Sequence, residues 1–530
     1  MTFTAVVPVE YDLVITNGVC VTASDVAAMD VGIRGEKIVV LAPAGSLAQA
    51  TAKRRIDAEG GYVMPGGVDC HVHLQEPSLF GKGTSADTFA SGTRSAVAGG
   101  TTTIVAFAPQ PRHEPSLVAA LDAAHALARD NCYCDYGFHL LVGNAGRQAL
   151  AEVKLLPARG VTSLKIYMTY EALQLRDNEI LSVFAAARDS HVLTMVHAEN
   201  GDVLTWLTER LEARGLVAPR YHAHSRPPLL EDEATNRAIA LAALVAHTPI
   251  LLVHISDGGA AARIRAAQTR GQPVFAETCP QYLFLTREEH LDGPAGFEAA
   301  KHVCSPPPRD KAAQAEIWAG LRNGTFAVLS SDHCPFNYDD NVSGKKTCIT
   351  DEFPVGRFRH IPNGLPGVET RLPLAFSAST AASTATTTSA NHDNNQRLPL
   401  TRFVEVTATN AAKLYGMYPR KGALLPGVSD ADLVVWYPGP GSPKRPAALD
   451  NLVLTNSMLH HNVDYTPYEG QRIHNWPRYT ILRGRIVWDR DGEGLVGTPG
   501  YGQFVERSAG VLNDIWQTVE QNGPFDEEKL

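Results

Sequence analysis

The chain has 530 residues, more than one ordinary domain holds, and its 44% hydrophobic and 19% charged composition is that of a globular protein with a large core. A net charge of −9 leaves no basic face for phosphate neutralisation, which argues against nucleic acid as a partner. No Lys/Arg run suggests a membrane anchor, and the N-terminus shows neither the positive region nor the cleavage site of a signal peptide. The most lipid-like stretch, "AIALAALVAHTPILLVHI" (238–255), is interrupted by His247 and Pro249 and divides into a helix and a buried strand. Eight cysteines form no disulfide framework, and the "CYC" at 132–134 reads as packing. Reduced thiols and a cytoplasmic location are the expectation, and the sequons at Asn323 and Asn341 are then chance matches.

Along the chain, the first 60 residues read as short strands. "YDLVITNGVCVTA" carries a hairpin signal, two β-rich arms around Asn17-Gly18, and "GIRGEKIVVLAP" repeats the style. Similar strands return in "ADLVVWYP" (431–438) and "YTILRGRIVWDRDG" (479–492). We therefore expect a small β-sandwich domain from 1–64 plus 420–498. Between these pieces lie eight buried-strand candidates at 67–74, 101–108, 134–142, 163–168, 192–198, 249–255, 272–279 and 326–333. Helical patterns separate several of them, such as "EATNRAIALAALVAH" and "DKAAQAEIWAGLRNG", the latter stopped by Asn-Gly. Strands alternating with helices predict a parallel sheet, most economically an α/β TIM-like (β/α)8 barrel over 65–419. A doubly wound open sheet is the alternative, but no G-x-G-x-x-G follows an early strand. Residues 377–396, "SASTAASTATTTSANHDNNQ", read as a flexible low-complexity insertion, and the tail 499–530 as a possible subunit contact.

His71 and His73, in "GGVDCHVHLQEP" (66–77), are two apart and so share a strand face. Alone, such a pair is nearly as well explained by one buried, hydrogen-bonded histidine and one solvated. Further polar residues stand at the C-terminal ends of other strand candidates: Lys165 in "SLKIYMTY", His197 in "TMVHAEN", His254 in "LLVHISDGG" and Asp332 in "LSSDHCPF". In a barrel that rim carries the active site, and the coincidence makes the His-x-His pair metal ligands. Lys165 lies between Leu164 and Ile166, where desolvation favours the neutral amine. A neutral amine adds carbon dioxide to give a carbamate, whose two oxygens can bridge two metals. Imidazole and oxygen donors without thiolate suit zinc better than a redox metal, with manganese and cobalt left open by the donor set alone.

This set resembles the amidohydrolase superfamily, and more narrowly its hydantoinase/dihydropyrimidinase branch. The strings that carry the resemblance include "AVAGGTTTIVAFA", "HAENGD", "AETCPQYL", "VCSPPPR", "SSDHCPFNY", "IPNGLPGVETRLPL", "TNAAKLYGMYPRKG" and "HNVDYTPYEG". "LLPGVSDADLVVWYP" and "NWPRYTI" are most similar to fungal-type dihydropyrimidinases. The resemblance implies that His71, His73 and Asp332 hold one Zn2+ and that His197 and His254 hold a second. Lys165, as N6-carboxylysine, would stand between them together with a hydroxide. It further implies that Tyr170 is an oxyanion tyrosine, that the backbones of Ser305 and Asn363 grip the imide edge of the substrate, and that the chain forms a homotetramer. The loop "LQEPSLFGKGTSAD" (74–87) departs from the bacterial hydantoinase pattern, which leaves the range of ring substituents open.

The implied reaction is hydrolytic opening of a cyclic imide or amide, with 5,6-dihydrouracil or dihydrothymine giving N-carbamoyl-β-amino acids in pyrimidine degradation. In it Asp332 moves the proton from the nucleophile to the leaving nitrogen. A broad hydantoinase acting on 5-substituted hydantoins is the alternative. A non-catalytic dihydropyrimidinase-like scaffold is more distant, because such proteins have typically lost ligands that are all present here. Other polar residues are expected elsewhere. His139 reads as packing, Glu199 as an acceptor orienting its neighbours, His222 and His224 as structural or gating, and "LHHN" (459–462) as uninvolved.

Overall fold

A strand such as Thr101–Pro109, buried at nearly every position, is apolar on both faces and needs cover on both. The computed structural model, which describes residues 10–78, 83–380 and 398–523, places eight such strands in one parallel sheet. They are Gly67–Val72, Thr101–Pro109, Asp135–Leu141, Ser163–Tyr167, Leu193–His197, Ile250–Leu252, Val274–Thr278 and Val328–Leu329, each overlapping its expected stretch. They neighbour one another in chain order. A parallel bridge between Val72 and His333 brings the end of the eighth back to the first, so the sheet is a (β/α)8 barrel.

Helices cover the outside. Lys311–Asn323 begins where the Asp310 side chain accepts from Ala313 N at 2.9 Å. It stops at Gly324, whose φ of 89° suits glycine, as the Asn-Gly pair predicts. The lipid-like stretch divides into the helix Pro228–Leu244 and the strand Ile250–Leu252, and among the described residues no helix is long and apolar enough to cross a membrane.

Both ends of the chain build the second, mixed sheet of nine strands, in which Leu433–Trp436 pairs on one side with Tyr62–Pro65 and on the other with Pro477–Leu482. Leu13, Ile15, Val31, Ile33, Val63 and Leu433 share its core. The expected hairpin at Asn17-Gly18 is corrected here. Tyr11–Val21 is one strand with a bulge between Ile15 and Gly18, and the chain reverses instead at Thr22–Asp25, where Thr22 N donates to Asp25 O at 2.9 Å. Asn17 has φ 55°, and at this bulge the strand passes from its parallel partner Ala52–Asp57 to its second one, Tyr62–Pro65. The Asn-Gly pair supplies a kink that changes partner, not a reversal.

Of the low-complexity stretch, residues 377–380 finish the helix Arg371–Thr380 and 381–396 lie outside the described residues. The C-terminal segment runs back against its own barrel. Val505 N donates to Tyr136 O at 2.7 Å, and Leu512, Ile515 and Trp516 join a cluster with Val105, Leu193 and Leu251 from the barrel strands.

The two sheets are locked by a buried charge cluster at the foot of the barrel. Lys421 Nζ lies 2.6 Å from Asp135 and Asp432 and 2.9 Å from Asp430, all at most 4% exposed, and Arg483 pairs with Asp135 as well. These three aspartates also lie close enough together to hold a cation, and the Lys421 ammonium is that cation. Lys421→Met would leave three buried carboxylates short of a partner. It is expected to cost about 3–5 kcal/mol, read as a lower melting temperature in thermal denaturation, and an unchanged melting temperature would remove the lock from this account.

Candidate metal centre

The first barrel strand presents His71 on its inner face and His73 one residue beyond its end. Barrel closure sets them against the turn after the eighth strand. His73 N donates to His333 O at 2.7 Å and His333 N to His71 O at 3.3 Å. Asp332 Oδ1 thereby comes to 3.1 Å from His71 Nε2 and 3.7 Å from His73 Nε2. Across the mouth, His197 ends the fifth strand and His254 follows the sixth, and His197 Nδ1 approaches His254 Nε2 to 2.9 Å. His71 and His254 join the two groups with ring centroids 5.5 Å apart. Lys165 rises between them from the fourth strand at zero exposure.

Three histidines have one ring nitrogen fixed by a carboxylate. His71 Nδ1 meets Glu277 at 2.6 Å, His73 Nδ1 meets Glu76 at 2.9 Å and His197 Nε2 meets Glu199 at 2.8 Å. The carboxylate takes the N–H, which leaves the opposite nitrogen's lone pair directed inward, an arrangement found around metal ions. Burial keeps the rings of His71, His197 and His254 neutral. It pulls His197 down to about 4, and His71 and His254 fall well below the ordinary histidine value, with the Lys165 charge adding to both and that of His197 to His254.

Lys165 carries the strongest sign of something to be bound. Its Nζ has no hydrogen-bond partner and sits 5.3 Å from the Phe107 ring centroid and 5.2 Å from that of Tyr167. Burial lowers its pKa, against the opposing charges of Glu277 and Asp332. Burial also raises Glu277, and lifts Asp332 to about 6. The donors fit a pair of divalent cations. His71, His73 and Asp332 offer ligand atoms within 4.8 Å of one another, the two facing nitrogens of His197 and His254 form a second group, and a carbamate on Lys165 would give the unpartnered amine both partners and charge.

The centre opens into a cavity of about 430 Å³, within the usual size of a small-molecule site. Its lining includes the apolar side chains of Leu141, Leu173 and Phe336 together with Tyr170, Ser305 and Asn363. The Tyr170 hydroxyl hydrogen-bonds toward Ser305 and Asn363, burial raises its pKa, and Asn363 Nδ2 donates to Ser305 Oγ at 2.8 Å. Tyr170, His254 and Asp332 have φ values of 65°, 41° and 49°. Left-handed backbone at three non-glycine residues of one site is strain held by the surrounding structure.

The structure thus brings together all nine residues singled out above. The other polar residues have partners of their own. His139 is a satisfied core residue, bonded to Ser163 Oγ and Cys70 O, and Glu199 joins His197 to Arg226. His222 meets Cys304 O at 2.8 Å, His224 is half-exposed beside Asp292, and His460 pairs with Glu369 away from the cavity. Sequence reasoning missed Glu277 and Glu76. The signal for Glu277 was a carboxylate inside the apolar run "VFAETC", as anomalous there as Lys165 in its own strand. Glu277→Leu removes the acceptor that orients His71, and metal retained against a competing chelator is expected to fall about 10–100-fold; equal retention would show that His71 needs no partner.

Comparison with known proteins agrees with this geometry. The amidohydrolase family model matches residues 62–487. A D-hydantoinase of Streptomyces coelicolor is 42% identical over 499 residues, covering 93% of this chain and 98% of the relative. One from Ralstonia pickettii is 39% identical, covering 94% and 99%. The crystal structure of dihydropyrimidinase from Brevibacillus agri superposes with a TM-score of 0.83 at 38% identity, over 94% of this chain and 99% of that one. The chain belongs to the amidohydrolase family, as a cyclic amidohydrolase of its hydantoinase/dihydropyrimidinase branch.

Proposed function

We propose that this protein opens cyclic imides by hydrolysis, with 5,6-dihydrouracil and dihydrothymine as its substrates and N-carbamoyl-β-amino acids as products. The observation that carries the reading is the unpartnered buried amine of Lys165 among four histidines and Asp332. In this reading His71, His73 and Asp332 would hold one Zn2+ and His197 and His254 the other, with Lys165, as a carbamate, a ligand to be shared by the two. When bound, two such ions supply a water acidic enough to be hydroxide at about neutral pH and polarise a carbonyl.

The chain's own residues do the rest. Asp332 Oδ1, beside both first-strand histidines, holds the proton of the attacking water and returns it to the ring nitrogen as the C–N bond breaks. The Tyr170 hydroxyl, kept protonated by burial, donates to the oxygen of the attacked carbonyl. The backbone groups of Ser305 and Asn363 hold the imide edge, and the apolar side chains of Leu141, Leu173 and Phe336 in the lining exclude water from the ring. Homotetrameric assembly and a cytoplasmic location belong to the same reading.

That apolar lining also favours a second reading, opening of hydantoins with a bulky 5-substituent, and relatives named D-hydantoinase support it. Relative kcat/KM for 5,6-dihydrouracil and 5-phenylhydantoin separates the two: preference for dihydrouracil upholds the first, preference for the hydantoin the second. Tyr170→Phe is expected to retain both metals and lose about 10²–10³ in kcat, whereas Lys165→Ala loses metal as well, read by metal analysis of the purified protein. Normal turnover by the Tyr170→Phe enzyme would remove Tyr170 from the mechanism.

A further inference from the structure

Lys345 is the most unusual buried charge outside the metal centre. It is fully buried, and its Nζ donates to three main-chain carbonyls: Val303 O at 3.2 Å, Pro362 O at 3.0 Å and Gly364 O at 3.0 Å. Among the described residues no carboxylate pairs with it. The titratable groups that face it are the thiols of Cys304, Cys334 and Cys348, all kept protonated by burial, and the imidazoles of His222 and His302, which burial keeps neutral. A buried ammonium is expensive to place in this way, and a methionine of similar size would fill the same space without charge.

The three carbonyls come from two segments that help line the cavity into which the metal centre opens. On the first, Lys345 takes the carbonyl of residue 303, His222 Nε2 takes that of 304 at 2.8 Å, and the Tyr282 hydroxyl takes that of 306 at 2.9 Å. On the second, Lys345 takes the carbonyls on both sides of Asn363. Gly364 N donates to Val303 O at 3.1 Å, tying the segments together. Only glycine fits there, since its φ is 144° and a Cβ would lie 2.3 Å from Cys334 O. The main-chain N–H and C=O of Ser305 and the N–H of Asn363 are left without a protein partner among the described residues. The carbonyls on either side of each are occupied, and Ser305 and Asn363 themselves line the cavity.

We infer that Lys345 is a positioning residue, an internal clamp that holds the two segments in register so that the free main-chain groups of Ser305 and Asn363 form one edge complementary to an imide. The inference rests on the reading of the site as one that binds cyclic imides. Burial pulls the Lys345 amine down to about 8. A group whose pKa is lowered in the folded protein loses its proton as pH rises through that value, so the clamp is complete below about pH 8 and weakens above it.

The test is steady-state kinetics of the zinc-loaded enzyme on whichever of 5,6-dihydrouracil or 5-phenylhydantoin it opens, with Lys345→Met and Lys345→Arg beside the wild type. For Lys345→Met we expect KM to rise about tenfold or more with kcat and zinc content little changed, and Lys345→Arg to recover part of the loss. A Lys345→Met enzyme with unchanged KM, or one in which kcat and zinc content fall while KM holds, overturns the inference. Should Lys345→Met fail to fold, the wild-type profile decides. A KM that climbs through about pH 8 supports the clamp, and a KM flat from pH 6.5 to 9.5 overturns it. A wild type inactive on both rings would instead refute the reading on which the inference rests, and the clamp with it.

Discussion

The site depends on one seam. The first and eighth strands of the barrel are separated by some 250 residues of sequence, and they meet through the Val72–His333 bridge and the two hydrogen bonds between His71, His73 and His333. Without that contact Asp332 has no histidines to face. The seam is held from behind by buried polar pairs. His333 Nε2 lies 3.1 Å from Asp87, its Nδ1 accepts from Gly367 N at 3.0 Å, and Ser331 N donates to Asp69 at 3.1 Å. Arg371 in turn sits 3.2 Å from the same Asp69. Closing a sheet in this way fixes strand tilt and register together, so one seam sets every strand end at the mouth.

Charge is distributed unevenly along the barrel axis. At the foot, Lys421 and Arg483 are matched by aspartates within hydrogen-bond distance, and the result is a lock. At the mouth, Lys165 is left unmatched, its histidine neighbours are neutral, and the nearby carboxylates Glu277 and Asp332 are raised by burial. A lone uncompensated charge at such depth is disfavoured, and a site built from several such groups is arranged around something that supplies charge. The same lining serves the reaction, because polar interactions strengthen where water is excluded.

The strained backbone has a similar logic. Tyr170, His254 and Asp332 all take left-handed φ two or three residues beyond the ends of their strands. A strand continued in regular geometry alternates its side chains inward and outward. The left-handed turn re-aims one residue toward the axis just beyond the end of the strand. The cost, of order 1–3 kcal/mol at each position, is met by the packing of the strands beneath.

The sequence by itself determined the barrel, because eight doubly buried strands alternating with helices leave few other ways to cover two apolar faces. It also singled out the polar side chains that meet at the barrel mouth: His71, His73, Lys165, His197, His254 and Asp332 each interrupt an apolar strand or stand just past its end, and that anomaly is visible without coordinates. What only the tertiary structure decided were relations between distant segments. Asn17-Gly18 carries the same local turn signal whether the strand reverses or changes partner, and its two parallel partners settle the matter. The pairing of Glu277 with His71 spans 206 residues, and Lys345 serves carbonyls that belong to no motif of its own. Side-chain chemistry is written residue by residue, whereas a hydrogen-bond partner is fixed only when closure of the barrel brings remote backbone and side chains within about 3 Å.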